Sequence, residues 1–178
     1  MERINLSGLT VLIVDSNPLL RTVFRQVLRE LGATNVEAVS SPEAGFKKFN
    51  DQNPDIVLID WSPGCDGMAL LDKIRHDPES ANAYAPVIIT SAHTEAADVI
   101  SARDHGMSEF LAKPVSAKTL YHRIARIAQE DRVFVRSEQF FGPDRRRRAS
   151  EPLLADRRVT TYTPRSAAPI GDSYALAG

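Results

Sequence analysis

Ile56-Val57-Leu58-Ile59-Asp60 is an apolar run, largely β-branched, that stops abruptly at a carboxylate. A short run without polar alternation suits a strand buried on both faces, as in a parallel sheet. Asn53-Pro54-Asp55 breaks the chain just before it, and Gly67 to Arg75 follows as a helix with Met68, Leu70, Leu71 and Ile74 apolar. Further toward the N-terminus, Leu9-Thr10-Val11-Leu12-Ile13-Val14-Asp15 repeats the pattern of an apolar run closed by an acid. Pro18 then opens a helix in which Leu20, Val23, Phe24, Val27, Leu28 and Leu31 recur at spacings of three and four, and Gly32 ends it. Val36 to Val39 is a second strand, and Ser41-Pro42-Glu43 is the N-cap and first turn of a helix carrying Ala44, Phe46 and Phe49.

Toward the C-terminus, residues 77–85 form a polar loop and Pro86-Val87-Ile88-Ile89-Thr90-Ser91 is a fourth strand. Thr94 to His105 is a weakly apolar helix stopped by Gly106, and Glu109-Phe110-Leu111-Ala112 is a short fifth strand before Lys113-Pro114. Leu120, Ile124 and Ile127 mark a last helix running to about Gln129. Five strands alternating with five helices through short connections predict a doubly wound α/β domain, a parallel sheet with helices on both faces. In such folds the site lies beyond the carboxyl ends of the strands, at the topological switch point. The polar residues there are Asp15-Ser16, Asp60, Thr90-Ser91 and Lys113.

The chain has 178 residues, 43% hydrophobic and 25% charged, which fits one ordinary domain with an appendage. The formal net charge of −1 hides an asymmetry, with residues 1–130 at −4 and residues 131–178 at +3. All nine basic side chains of the second segment are arginine, four of them consecutive at Arg145-Arg146-Arg147-Arg148. That segment holds four prolines and no helix-length apolar period, so residues 131–178 read as a mostly flexible extension after a domain spanning 1–130. Phe140-Phe141-Gly142-Pro143 stands out within it as an apolar anchor, for this domain or for a partner. A single cysteine, Cys65, excludes an intramolecular disulfide framework and a Cys-rich zinc site, and suits a cytoplasmic protein. It reads as a small filler, since no resolving thiol exists. No apolar run approaches the roughly 20 residues that span a bilayer, and the N-terminus lacks the basic-then-apolar order of a secretory signal.

Two carboxylates at one rim repel each other unless a cation lies between them, so Asp15 and Asp60 call for a hard divalent ion such as Mg²⁺. Lys113 supplies a compact positive charge for a phosphoryl oxygen, and Ser91 or its neighbour Thr90 a hydrogen bond to another. A carboxylate nucleophile attacking phosphorus beside a metal and an ammonium is a sensible phosphoryl acceptor. Asp60, on the central strand, is the better acceptor of the two. His93 and His105 lie near helix ends and read as solvent-facing.

At these residues the chain resembles the receiver domain of two-component response regulators, the CheY-like family, from about Leu9 to Gln129. Val11 to Asp15 resembles its first strand and acidic end, and Asp60 with Pro63 and Asp66-Gly67 its phosphoacceptor strand and loop. Ser91-Ala92 resembles its Ser/Thr-Ala pair, Phe110 its aromatic switch, and Lys113-Pro114 its lysine and cis-peptide proline. The resemblance implies a flavodoxin-like strand order 2-1-3-4-5 and Asp60 as the phosphoacceptor, with Ser91 and Lys113 acting on the phosphoryl group. It also implies Mg²⁺ held by Asp15, Asp60 and the backbone carbonyl of Ser62, and a switch made by Ser91 and Phe110. The implied partners are a sensor histidine kinase or phosphotransfer protein and a downstream protein, with the domain a signalling acceptor and not a turnover enzyme.

Two departures set this chain apart. Ser16 stands where the family has a second acid, and the loop from Asp60 to Asp66 is one residue short. Both predict weakened Mg²⁺ binding, and both favour an alternative, a degenerate receiver that binds partners without phosphorylation. Arginine-rich tails of some CheY-like proteins bind cyclic di-GMP, which Arg145 to Arg148 resemble in composition alone. Docking of the extension ranks ahead of that nucleotide, and a net of +3 is too little for nucleic acid.

Overall fold

A computed structural model describes residues 6–129, 134–137, 140–144 and 160–162. The first ten elements alternate: β1 (Thr10–Val14), α1 (Pro18–Glu30), β2 (Asn35–Val39), α2 (Pro42–Gln52), β3 (Ile56–Trp61), α3 (Gly67–His76), β4 (Val87–Ser91), α4 (Ala96–Asp104), β5 (Glu109–Ala112) and α5 (Ala117–Gln129). Their strands form one parallel sheet in the order β2-β1-β3-β4-β5, as the resemblance implied.

The unbroken apolar runs are explained by two cores, one on each face. Successive strand side chains point to opposite faces. Val11, Ile13, Ile56, Leu58, Ile88 and Leu111 therefore pack with Phe24 and Leu28 of α1 and Leu120 and Ile124 of α5. Leu12, Val14, Val57, Ile59, Val87 and Ile89 pack on the other face with Phe49 of α2, Leu70, Leu71 and Ile74 of α3 and Ala102 of α4. Full burial of each such aliphatic or aromatic side chain stabilises the fold by about 1.5–3 kcal/mol.

Local chemistry places the helix ends. Asn17 caps α1, its side-chain oxygen accepting from the Leu19 and Leu20 amides, with Pro18 in the first turn. Ser41 caps α2 through the Ala44 amide, and Asn53 closes that helix in the left-handed region at φ 44°. Gly32, at φ 99°, takes the left-handed turn after α1. Asp66 caps α3 through Ala69. α4 starts at Ala96, later than its pattern suggested, and its N-cap, Glu95, makes no side-chain capping bond.

β1 and β3 are neighbours, but the chain leaves them in opposite directions, β1 toward β2 and β3 toward β4. That is the switch point, and Asp15 and Asp60 stand at its rim.

Part of the stretch read as a mostly flexible extension carries structure. β6 (Phe134–Ser137) and β7 (Phe140–Pro143) form an antiparallel hairpin, and β8 (Thr160–Tyr162) pairs with the other side of β6. Phe134, Val135 and Phe141 are buried. The Phe134 and Phe141 rings meet the edge of Tyr84, with centroids 5.3 and 5.1 Å away, and Phe141 lies 6.4 Å from the His76 ring. The apolar anchor is thus seated on this domain, against α3. Arg145 to Arg148 lie outside the described residues.

Candidate functional site

Asp15 directly follows Val14, the last residue of β1, with its amide still bonded to the Val39 carbonyl at 3.2 Å. Its Oδ1 accepts the Asn17 amide at 2.8 Å, so the loop turns back on its own acid. Arg21, one turn into α1, fixes the same loop from beneath by donating from Nη1 to the carbonyls of Asp15 (2.6 Å) and Ser16 (3.0 Å). Asp60 sits within β3, because pairing continues to Trp61 opposite Ser91.

Lys113 joins the two acids. Its Nζ donates to Asp60 Oδ1 at 2.7 Å and to Asp15 Oδ2 at 3.1 Å. The carboxylates are 1% and 2% exposed, so the ammonium neutralises one of two buried negative charges and the other remains uncompensated by it. Burial opposes the charge on Lys113, but its hydrogen bonds and charge contacts with Asp60 and Asp15 outweigh that and raise its pKa above the ordinary lysine value. The Lys113 amide bonds the Ser91 carbonyl at 2.8 Å, tying the end of β5 to the end of β4, and the Lys113–Pro114 peptide is cis.

The remaining sequence-picked residues divide. Ser91 is buried at the same rim, but its Oγ donates to the Trp61 carbonyl at 2.8 Å and accepts the His93 amide at 3.0 Å. Thr90, the other candidate hydroxyl, is turned into the sheet toward the Ile59 carbonyl. Phe110 is half-buried against the second core and makes no described contact with the acids. The Ser62 carbonyl, which the resemblance aimed at a cation, accepts the Cys65 amide at 2.9 Å while Ser62 N–H donates to the Cys65 carbonyl at 3.1 Å. The short loop folds into this tight bridge because only five residues separate Asp60 from the Asp66 cap. Gly64 then lies over Ser16, where a Cβ would stand 3.1 Å from Ser16 Oγ. A Cβ on Gly67 would run into the Asp60 carbonyl, so only glycine lets α3 begin so close to the acceptor strand. Cys65 is buried, and desolvation, reinforced by the Asp60 and Asp15 charges, pushes its thiol up to about 11. His93 and His105 are exposed.

Sequence reading missed two participants. The Ser62 hydroxyl donates to Asp60 Oδ2 at 2.6 Å, so both oxygens of Asp60 carry a hydrogen bond. Arg21 was passed over as one of the polar residues between the apolar positions of α1. Neither signal exists in periodicity, since one contact depends on where the loop after β3 places a hydroxyl and the other on where the loop after β1 places its carbonyls.

Two enclosed carboxylates beside a hydroxyl and a carbonyl are an all-oxygen set that fits a hard cation such as Mg²⁺, which typically takes one or two carboxylates and keeps several waters. Asp15 and Asp60 would hold it. The set is one acid poorer than a three-carboxylate site, with Ser16 in that place, and no group of three or more His, Cys, Asp or Glu suited to a metal occurs among the described residues.

Residues 11–125 match the family model of the response regulator receiver domain. The chemotaxis protein CheY-3 of Vibrio cholerae serotype O1 is 30% identical over 128 residues, covering 71% of this chain and 97% of that protein. The chemotaxis protein CheY of Pseudomonas aeruginosa is 29% identical over 118 residues, 66% of this chain and 94% of its own. The solved structure of Vibrio cholerae CheY4 superposes with a TM-score of 0.61 at 20% identity, covering 67% of this chain and 98% of that one, a likeness of fold. With matching strand order, an acid–lysine rim and a family match across two cores, this chain belongs to the response regulator receiver domain family.

Proposed function

We propose that this receiver accepts a phosphoryl group on Asp60 from a phosphohistidine of a sensor kinase or phosphotransfer protein, and signals by altered binding to a downstream protein. The observation that carries this is the 2.7 Å contact between Lys113 Nζ and Asp60 Oδ1 at the carboxyl end of the central strand. A carboxylate oxygen of Asp60 attacks phosphorus, the P–N bond breaks, and the imidazole leaves with the electron pair. Lys113 keeps the acceptor oriented and meets the charge spread over the phosphoryl oxygens. Ser91 exchanges its bond to the Trp61 carbonyl for one to a phosphoryl oxygen, which disturbs the β4–β5 rim and, through Phe110, the faces of α4 and α5. Mg²⁺, when bound by Asp15 and Asp60, supplies further charge neutralisation to the phosphoryl group. The acceptor is used once per signal, so the domain is not a turnover enzyme, and its setting is the cytoplasm.

Incubation with acetyl phosphate and Mg²⁺ should yield one phosphoryl group per chain that is labile to base and hydroxylamine, and Asp60→Asn should yield none. Labelling that survives Asp60→Asn would overturn the assignment.

A second reading, a binding module independent of phosphorylation, is favoured by the doubly bonded Asp60 and by Ser16. A cellular response that persists undiminished with Asp60→Asn selects it. Calorimetry of the full chain against cyclic di-GMP tests whether a nucleotide serves that reading through Arg145 to Arg148.

A further inference from the structure

Arg75 is the largest fully buried side chain of the domain, 1% exposed, and it lies at the opposite end of the sheet from Asp60. It closes α3, and its guanidinium gathers carbonyls from two separate connections. Nε donates to Gly106 (2.9 Å), and Nη1 to Ala83 (2.8 Å) and Ala85 (2.9 Å). Ala83 and Ala85 lead into β4, which ends in Ser91, and Gly106 leads into β5, which ends at Lys113. One side chain therefore ties together the amino ends of the two strands whose carboxyl ends make the phosphoacceptor rim.

The hairpin is what seals this knot. The Phe134 ring covers the guanidinium at 5.4 Å, and Nη2 is left buried with no hydrogen-bond partner among the described residues. Gly106, at φ 88°, passes so close to β7 that a Cβ on Gly142 would stand 2.6 Å from Gly106 Cα. A buried, unpartnered donor is costly, and water can satisfy it only when the hairpin lifts. The docked state thus carries an opposing term beside its aromatic packing, which suits a contact that opens.

We propose that the β6–β7 hairpin is an intramolecular clasp that holds the α3–β4 and α4–β5 turns in the unphosphorylated arrangement, so that lifting the hairpin and phosphorylating Asp60 favour one another. The coupling rests on the phosphoacceptor reading above, and it is reciprocal by linkage. Whatever draws the C-terminal extension away primes the acid rim, and phosphorylation in turn releases the extension.

Gly142→Ala in the full chain tests this, because it forces the strand off Gly106 while deleting no apolar surface; Phe141→Ala is the companion, and the thermal transition of each verifies folding. Amide exchange at Gly106, Met107 and Ser108 should quicken about tenfold in both variants, the equivalent of about 1.4 kcal/mol of local stability. Both should bind beryllofluoride, a phosphoryl mimic, more tightly than the parent when followed by Trp61 fluorescence. In the parent, beryllofluoride should quicken exchange across Phe134 to Arg136. Unchanged protection at Gly106 to Ser108 in folded variants overturns the clasp. Parent-like beryllofluoride affinity in variants with loosened turns overturns the coupling. A parent that binds no beryllofluoride and takes up no phosphoryl group defeats the phosphoacceptor reading, and the coupling with it, while the exchange data still decide whether the hairpin restrains the turns.

Discussion

Lys113 serves two carboxylates with one ammonium, and removing it exposes what each contributes. Lys113→Met should leave Asp15 and Asp60 facing each other without a cation, lowering the melting temperature at neutral pH and abolishing phosphoryl uptake. The pH dependence has a definite sign. A lysine whose folded pKa lies above its unfolded value adds stability that is fully present below the unfolded pKa, about 10.4, and lost as pH rises through the folded pKa. The gap in stability between the parent and Lys113→Met should therefore be constant to about pH 10 and narrow above it, as urea titrations at graded pH would show. At the neighbouring position, Ser16→Asp restores the missing acid and should tighten Mg²⁺ binding several-fold in a Trp61 fluorescence titration. Crowding against Gly64 should lower the melting temperature of that variant at the same time. An affinity no better than the parent's would mean that the Ser62–Cys65 bridge, and not the lost charge, limits the cation. Asp15, Asp60 and Lys113 were legible in the sequence because each follows an apolar run whose direction through the sheet is fixed. The Ser62 hydroxyl on Asp60 was not, since a serine in a turn has no preferred partner until the turn is built.

Helices and strands of the sheet were legible for a related reason. Runs such as Val11 to Val14 and Ile56 to Ile59 feed two cores at once, and only a central parallel strand needs that. The caps were equally open to reading: Asn17→Ala removes the acceptor for two amides and should cost about 1 kcal/mol, near 2–4 °C in the melting temperature of a chain this size. Gly67→Ala should do more harm than its helix propensity suggests. The added methyl meets the Asp60 carbonyl, so α3 must retreat, and phosphoryl uptake should fall together with stability. A variant with parent-like uptake and a raised melting temperature would show that the loop absorbs the methyl. β6 and β7 escaped sequence reading because strands of four residues, Phe134–Ser137 and Phe140–Pro143, are too short to carry a periodic signal. Their stability comes from Tyr84 and Arg75, which belong to other elements.

Across the whole molecule, the parallel sheet separates an acidic rim at its carboxyl end from a buried guanidinium at its amino end. Burial pushes the Arg75 pKa down to about 9, so it still carries its charge at neutral pH and binds three carbonyls as a cation. Arg75→Met should strand those acceptors and cost about 3 kcal/mol in urea unfolding, more than a surface arginine would. A loss below 0.5 kcal/mol, the range of ordinary surface changes, would mean that water replaces the guanidinium at little cost.

Cys65 has a practical corollary. The chain's only sulfhydryl is enclosed beneath the bridge with Ser62 and stays protonated far above physiological pH. Maleimide chemistry should leave the native protein unmodified, so a cysteine introduced on the outer surface of the hairpin can carry a fluorophore alone and report its departure without background.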